Sequence, residues 1–117
     1  MATLSGAGSL PLSGDVVTVC AGDREQGAEV RLQFRVADGR VEDARFQAFG
    51  CPHFLAAASW LTDRLRGAGP AQFEAWDWRE AAAALEVPAA KYGRLLTLQD
   101  AVRAAARNWP GAIRSTV

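Results

Sequence analysis

The change in hydrophobic spacing at Gly50 is the feature that most constrains the fold of this chain. Before it, Val41–Phe49 alternates apolar and polar residues, as a β-strand with one buried face does. After it, Pro52 fits the first position of a helix, and apolar residues then recur at helical spacing. The sequence therefore predicts a strand that passes directly into a helix, with Cys51 as the helix N-cap.

The helix that begins at Pro52 is predicted to bury one stripe of side chains. The residues of this stripe are Phe54, Ala57, Ala58, Leu61 and Leu65. The residues predicted to face away from it are Ser59, Thr62, Asp63 and Arg66. Trp60 also lies off the stripe, and we interpret it as an amphipathic core residue in preference to a contact surface.

A thiol at the start of a helix has a chemical consequence. The unpaired N–H groups and the positive end of the helix dipole favour thiolate, so the pKa of Cys51 should be lowered and its sulfur should be a better nucleophile or metal ligand. His53, two residues further on, is a weaker candidate for supplying a proton or a ligand. The alternative is structural: a free cysteine is commonly a small buried hydrophobe, and a single histidine does not make a metal site.

Two further strands are predicted before this one. Asp15–Ala21 is a β-branched run with Cys20 near its end, and Val30–Val36 alternates between apolar and polar residues. A polar connection, Gly22–Gly27, separates the two runs. The sequence therefore predicts three consecutive strands.

The register of the second and third strands depends on the turn at Asp38-Gly39. A two-residue loop would place Phe34 opposite Asp43, and charges would then lie beside the core face. A three-residue loop over Asp38–Arg40, with a bulge, pairs Phe34 with Ala44 instead. It also pairs Leu32 with Phe46, and we therefore predict the bulged three-residue loop.

The second half of the chain is predicted to be helical. Ala71–Glu86 predicts one or two short helices, and a long last helix follows over about Ala89–Trp109, with Pro110 as its stop. The predicted buried stripe of the last helix is Leu95, Leu98, Val102, Ala105 and Trp109. Strands followed by helices predict an α+β fold, in which a three-stranded antiparallel sheet is covered on one face by helices.

Length and composition limit the domain organisation and the partners. The 117 residues are enough for one domain, which we assign to residues 15–117, after a flexible N-terminal segment over residues 1–14. A formal net charge of zero favours neither nucleic acid nor an anionic membrane as a partner. No membrane span or secretory signal is evident, so we expect a cytoplasmic protein with reduced cysteines.

Four segments of the chain together resemble a known family. They are RLQFRV, VEDARFQAFGCP, AAASWLTDRLRG and LEVPAAKYGRLLTLQDAVRAA. These segments resemble the IscU-type iron–sulfur cluster assembly scaffolds, including the N-terminal domain of NifU, over about Ala21 to Ala106. The resemblance implies the same α+β fold and a non-enzymatic scaffold. Such a scaffold receives sulfur from a cysteine desulfurase, takes up iron, and passes a cluster to accepting proteins.

The resemblance also implies where the ligands of such a scaffold would lie. Family members use three cysteines, an aspartate and a histidine, and Cys51 is the only one of these that this chain keeps. The other ligand positions carry Gln26, Ala28, Gly93 and Arg94. A [2Fe–2S] cluster or a Zn²⁺ ion takes about four donors, so we expect the isolated monomer to bind iron, a cluster or zinc weakly or not at all. A second copy in a homodimer, or a partner protein, would have to supply the missing donors.

Three functional hypotheses remain, two from the family resemblance and one from the strand that ends in Cys-Pro-His and leads into a helix. The first is a scaffold-like protein that accepts sulfur, iron or both at Cys51, where Arg94 would repel a metal cation and stabilise a thiolate or a persulfide. The second is a non-catalytic protein-binding module of the same fold, which regulates the cluster assembly machinery. The third is a monothiol thioredoxin-like redox protein, but a hairpin before the cysteine and only helix after it oppose that fold.

Overall fold

The computed structural model of the protein describes residues 8–10 and 15–109, and within them three strands precede the helices, as predicted. The strands are β1 (Val16–Asp23), β2 (Ala28–Ala37) and β3 (Arg40–Phe49). The helices are α1 (Pro52–Leu65), α2 (Pro70–Ala75), α3 (Trp78–Ala84) and α4 (Tyr92–Arg107), with short 3₁₀ turns at Arg24–Gln26 and Ala89–Lys91. The predicted stop at Pro110 lies outside the described residues.

The sheet is antiparallel, with the strand order β1-β2-β3, and helices cover one of its faces. Helix α1 packs on β3, and α4 packs mainly on β1. Between sheet and helices, the Phe73 ring meets both Phe34 and Trp109 edge-on, with ring centroids 4.8 Å apart in each pair. The predicted α+β fold is therefore confirmed. A thioredoxin-like fold needs parallel strands joined by a crossover helix, and this sheet does not fit it.

The predicted pairing of the hairpin is confirmed, but the predicted loop is wrong. Phe34 lies opposite Ala44. The loop, however, has only two residues, Asp38 and Gly39, because Ala37 already pairs with Arg40. Both loop residues have positive φ angles, 52° and 75°, as a type I′ turn requires.

A bulge inside β3 makes this short loop compatible with the core pairing. Arg35 lies opposite Asp43, whereas the next residue, Val36, lies opposite Val41. Glu42 is therefore the extra residue of the bulge, and it shifts the register by one. Because of this shift, Val41 and Ala44 are both buried although they are three positions apart.

Helix α1 buries more of its surface than its hydrophobic stripe predicts. The stripe residues are buried as expected, but Ser59 and Thr62, which were predicted to face away, are only 8% and 0% exposed. Helix α1 contacts α3 and α4 as well as β3, so its buried arc is wide. The Thr62 hydroxyl donates a hydrogen bond of 2.9 Å to the carbonyl oxygen of Ser59, which satisfies a buried polar group inside the helix.

Helix α4 follows the prediction more closely. Its predicted stripe is buried, Ala101 is buried in addition, and Trp109 is buried although it lies beyond the end of the helix. Trp60 on α1 is partly buried against the core, which fits the interpretation as an amphipathic core residue. Among the helices of the described residues, none has the length and hydropathy that a membrane-spanning segment needs.

A short N-terminal segment, Gly8–Leu10, lies on the face of the sheet that the helices leave open. The Leu10 N–H donates to Gln33 Oε1 at 2.8 Å, and Gln33 Nε2 donates to the Leu10 carbonyl at 3.2 Å and to Thr18 Oγ1 at 3.1 Å. Gln33 is consequently only 2% exposed. The sequence predicts a flexible start over residues 1–14, whereas these three residues are held on the sheet; the rest of that segment lies outside the described residues.

Candidate functional site

Cys51 is the N-cap of α1, as the sequence predicts, and its side chain is half-buried. Its backbone is extended (φ −72°, ψ 163°), and Pro52 occupies the first helical position. The residue before it, Gly50, has no room for a side chain. A Cβ atom there would lie 2.9 Å from Phe54 Cδ2 and 3.3 Å from the carbonyl oxygen of Gly27. The turn before β2 therefore lies directly against the start of α1.

The pKa of the Cys51 thiol is lowered. Burial of the thiol is the largest single influence and opposes ionisation, but the Phe54 and His53 backbone amides, with Lys91 and Arg94, together outweigh it. The thiol makes no capping hydrogen bond of regular geometry to these amides, so we interpret their effect as electrostatic. The direction is the one expected of a cysteine at a helix N-terminus.

The Arg94 side chain reaches from α4 to the turn before β2. Its Nη1 donates a hydrogen bond of 2.8 Å to the carbonyl oxygen of Gln26. Its guanidinium lies over Gly27, where a Cβ atom would be 3.2 Å from Nη2, 3.7 Å from Cζ and 3.8 Å from Nη1. Two positions that are 68 residues apart in the sequence are thus in contact beside Cys51.

The other residues singled out in the sequence lie in different surroundings. Gly93 is in the first turn of α4, with open space around the position of a Cβ atom. Ala28 is buried at the start of β2, with 4% of its surface exposed. His53 is exposed on the first turn of α1. These positions therefore add no donor side chain to Cys51 except the exposed imidazole.

The donor set does not fit a bound metal or cluster. Within residues 8–10 and 15–109, no three side chains of the His, Cys, Asp and Glu types come together in a way that could hold a metal ion. A tetrahedral zinc site or a [2Fe–2S] cluster takes about four donors. The charged side chains that act on the Cys51 thiol are instead cationic: Lys91 and Arg94 both lower its pKa.

Sequence reasoning missed Lys91 as a component of this site. The signal was available in the spacing, because Lys91 and Arg94 are three positions apart where the last helix begins and so lie on the same side of that helix start. What the spacing does not show is that the two cations come close enough to Cys51 to lower the pKa of its thiol. That information requires the packing of α4 beside the start of α1.

Cys20 has entirely different surroundings. It is exposed on β1, on the open face of the sheet, opposite Arg31 of β2. It lines a surface cavity of about 330 Å³ together with Arg24 and Gln47. Both cysteines are free thiols.

The comparison with known proteins identifies the family. The chain matches the family described as NifU-like N terminal domain over residues 6–116. It belongs to this family. It is 32% identical over 92 residues to the iron sulfur cluster assembly protein 1, mitochondrial, of Eremothecium gossypii. The matched region covers 77% of this chain and 60% of the relative.

Bacterial relatives give the same result. The chain is 34% identical over 80 residues to the iron-sulfur cluster assembly scaffold protein IscU of Escherichia coli, covering 68% of this chain and 62% of that protein. This NifU-like domain thus spans less than two thirds of the length of either curated relative. In fold it is similar to the crystal structure of a nitrogen-fixing NifU-like protein (N-terminal) from Brucella abortus, with a TM-score of 0.66 and 17% identity over 90% of this chain and 85% of the other.

Proposed function

We propose that this NifU-like domain works in iron–sulfur cluster assembly as a scaffold-like sulfur acceptor, which holds sulfur on Cys51 as a persulfide. The observation that carries the proposal is the cationic setting of the Cys51 sulfur at the start of α1, where the side chains of Lys91 and Arg94 both lower the pKa of the thiol. The names of the relatives, which are cluster assembly proteins, support the process. The domain is the acceptor in this step and not an enzyme.

The proposed step is a transfer of sulfane sulfur. The Cys51 thiolate attacks the outer sulfur of a persulfide carried by the active-site cysteine of a cysteine desulfurase. A new S–S bond forms at Cys51 while the S–S bond of the donor breaks, and the donor cysteine leaves as a thiolate, so that no external oxidant or reductant is needed. Lys91 and Arg94 stabilise the attacking thiolate and then the anionic persulfide.

Metal binding is one part of scaffold function, and we expect it to be weak in this chain. Gln26, Ala28, Gly93 and Arg94 stand where the family resemblance places ligands, and none offers a thiolate, carboxylate or imidazole. Iron, zinc or a transient cluster would therefore need donors from a second copy of the chain or from a cluster-accepting partner. We place this chemistry in the cytoplasm, where reducing conditions keep both cysteines free.

Mass spectrometry after incubation with a cysteine desulfurase and cysteine tests the proposal. We expect the wild type and Cys20→Ser to gain one sulfur atom on the peptide that contains Cys51, and Cys51→Ser to gain none. Sulfur on Cys20 alone, or no sulfur on the wild type, would refute the proposed function. Cys20→Ser serves as the matched control, because it also replaces a free thiol with a hydroxyl.

A second function, that of a protein-binding module which regulates the assembly machinery, is favoured by a separate observation. Phe49 and Leu96 are the large apolar side chains that remain exposed among the described residues, at 45% and 44%. Phe49 ends β3 two residues before Cys51, and Leu96 follows Arg94 by two residues on α4. If this function applies, Cys51→Ser still binds the desulfurase, and Phe49→Ser with Leu96→Ser abolishes binding.

A further inference from the structure

We propose that Gln26 and Gly27 form a seat that fixes the Arg94 guanidinium beside Cys51, and that this fixed cation makes the site selective for anionic sulfur over metal cations. The proposal rests on the proposed function in that sulfur is taken to be the cargo. The geometry of the seat does not depend on that function. In this arrangement Arg94 is the selectivity residue, and Gly27 is the positioning residue.

The seat is built from backbone atoms. The carbonyl oxygen of Gln26 accepts the hydrogen bond from Arg94 Nη1 at 2.8 Å, so the side chain at position 26 is not needed for it. Gly27 contributes by lacking a side chain, because a Cβ atom there would lie 3.2 Å from Arg94 Nη2. Its φ of +87° is also one that glycine adopts readily.

The turn that carries the seat is held in place on both sides. Asp23 Oδ1 accepts a hydrogen bond of 2.8 Å from the Glu25 N–H, and the Gly27 N–H donates to the Arg24 carbonyl at 3.0 Å. The Gly27 carbonyl then approaches Gly50, the residue before Cys51. The guanidinium is therefore attached to a structure that is itself in contact with the start of α1.

Among the described residues, no acidic side chain pairs with the Arg94 guanidinium in the seat. Its acceptor is a neutral carbonyl, and among residues 8–10 and 15–109 neither Arg94 nor Lys91 takes part in an ion pair. Arg24 belongs to the same turn, but its charge is compensated by Glu29, whose Oε1 lies 3.0 Å from Arg24 Nε. The charge of Arg94 is thus available to stabilise an anionic sulfur at Cys51. Arg24, whose charge is paired, serves as the control for removing an arginine from this region.

A guanidinium that is held in the seat differs from a mobile one in the entropy that it loses when it meets an anion. An arginine that is free in solvent loses rotamer entropy when it is ordered beside an anion, but this loss is already incurred in the seat. A thiolate or persulfide at Cys51 gains a favourable Coulomb interaction at once, and a divalent cation in the same place meets repulsion. Selectivity then depends on the position of the guanidinium and not only on its presence.

The first test displaces the guanidinium without removing it, in a Cys20→Ser background that leaves Cys51 as the thiol to be read. Asparagine tolerates left-handed backbone, so Gly27→Asn places a side chain where Arg94 lies. Gly39→Asn is the matched control, because Gly39 has a φ of +75° and nothing within 4 Å of its Cβ position. We expect Gly27→Asn to slow alkylation of Cys51 at neutral pH by about threefold or more, and Gly39→Asn to leave it unchanged.

The second test removes the charge. Arg94→Gln should move the pH profile of Cys51 alkylation upward at least as far as Gly27→Asn does, whereas Arg24→Gln should leave it in place. Arg94→Lys keeps a charge but lacks the planar fork, so it should restore only part of the effect. Wild-type profiles for both Gly27→Asn and Arg94→Gln, in variants that remain folded by circular dichroism, would overturn the proposal.

The third test reads selectivity against metal. Gln26→Cys with Gly93→His supplies, together with Cys51, three donors, and the backbone seat for Arg94 is retained. Adding Arg94→Ser should tighten zinc binding by about tenfold or more, because a unit of positive charge is removed next to the cation. Equal zinc affinity with and without Arg94 would contradict the proposal.

These tests are separable from the test of the proposed function. Alkylation and zinc titration require no sulfur donor. If the desulfurase fails to load Cys51 but the variants behave as expected, the proposed function is rejected and the charge seat stands. If Cys51 is loaded and the Gly27→Asn and Arg94→Gln variants behave like wild type, only the seat is rejected.

Discussion

The two sides of the sheet each have one cysteine, and they surround it differently. On the side covered by helices, Cys51 follows β3 at the start of α1, where it is half-buried and where Lys91 and Arg94 lower the pKa of its thiol. On the open side, Cys20 is exposed within β1, opposite Arg31. Exposure alone would favour Cys20 as the reactive thiol. The difference teaches that the chemistry of a thiol in this fold depends on the groups at nearby helix termini, which are backbone amides and cationic side chains. These groups lie on the covered side.

The largest effect that we expect comes from restoring donors on the covered side. Gln26→Cys, Gly93→His and Arg94→Cys together give four donors with Cys51, the number of a structural zinc site. Gly93 has open space for the imidazole. We expect zinc affinity, measured by competition with a chromophoric chelator, to rise by about 1,000-fold or more over the wild type.

Two controls belong to this experiment. Adding Cys51→Ser to the restored variant removes one of four donors and should reverse most of the gain. The wild type itself should bind zinc or ferrous iron only weakly. Suppose instead that the wild type binds zinc tightly and one-to-one, and that Cys51→Ser abolishes this binding. Other donors would then complete the site, and the protein would be an ordinary metal-binding scaffold.

A core substitution compares the stabilities of the two faces on one strand. Phe34 faces the helices, fully buried and edge-on to Phe73 at 4.8 Å, and its neighbour Arg35 faces the open side. Phe34→Ala should lower the free energy of unfolding by about 3–5 kcal/mol, because it removes a large buried side chain and leaves a cavity. Arg35→Ala should change it by no more than about 0.5 kcal/mol. Urea denaturation measures both, and similar losses would contradict the assignment of faces.

Among the described residues, Gln33 is the buried polar residue of the open face, which allows a smaller test. Gln33→Ala removes the partner of the Leu10 N–H and carbonyl and of the Thr18 hydroxyl, so it should cost about 1–3 kcal/mol in the free energy of unfolding. Gln47→Ala, an exposed glutamine on the same face, is the matched control. If the two variants unfold at the same urea concentration, Gly8–Leu10 does not stabilise the sheet.

The smallest expected effect is the difference between the two thiols. Because the pKa of Cys51 is lowered, we expect iodoacetamide to modify it at lower pH than Cys20 and faster at neutral pH, by about tenfold at most. The pKa returns to its ordinary value on unfolding. Ionisation of Cys51 therefore stabilises the folded state, and this stabilisation is complete at pH values above the ordinary thiol pKa. The stabilisation is lost as pH falls through the lowered pKa. Equal rates in the folded protein, or a faster Cys20, would contradict the comparison, whereas equal rates in denaturant are expected.

Local periodicity was sufficient to predict most of the elements. A β-branched run identified β1, alternation identified β2 and β3, and helical spacing identified α1 and α4. Gly50-Cys51-Pro52 placed the junction between β3 and α1. The pairing of Phe34 with Ala44 also followed, since each strand has one apolar face and faces must match. These features depend on neighbours in the chain or on a single repeat, and a sequence displays both directly.

The remaining features depend on what packs against an element, and only the tertiary structure decided them. The bulge at Glu42 reconciles a two-residue turn with the matching of faces, and neither constraint alone predicts it. Thr62 is buried because α1 has neighbours on several sides, and Gln33 is buried because Leu10 crosses the open face. The contact between Arg94 and Gln26 joins positions 68 residues apart, and it exists because α4 packs beside the turn before β2.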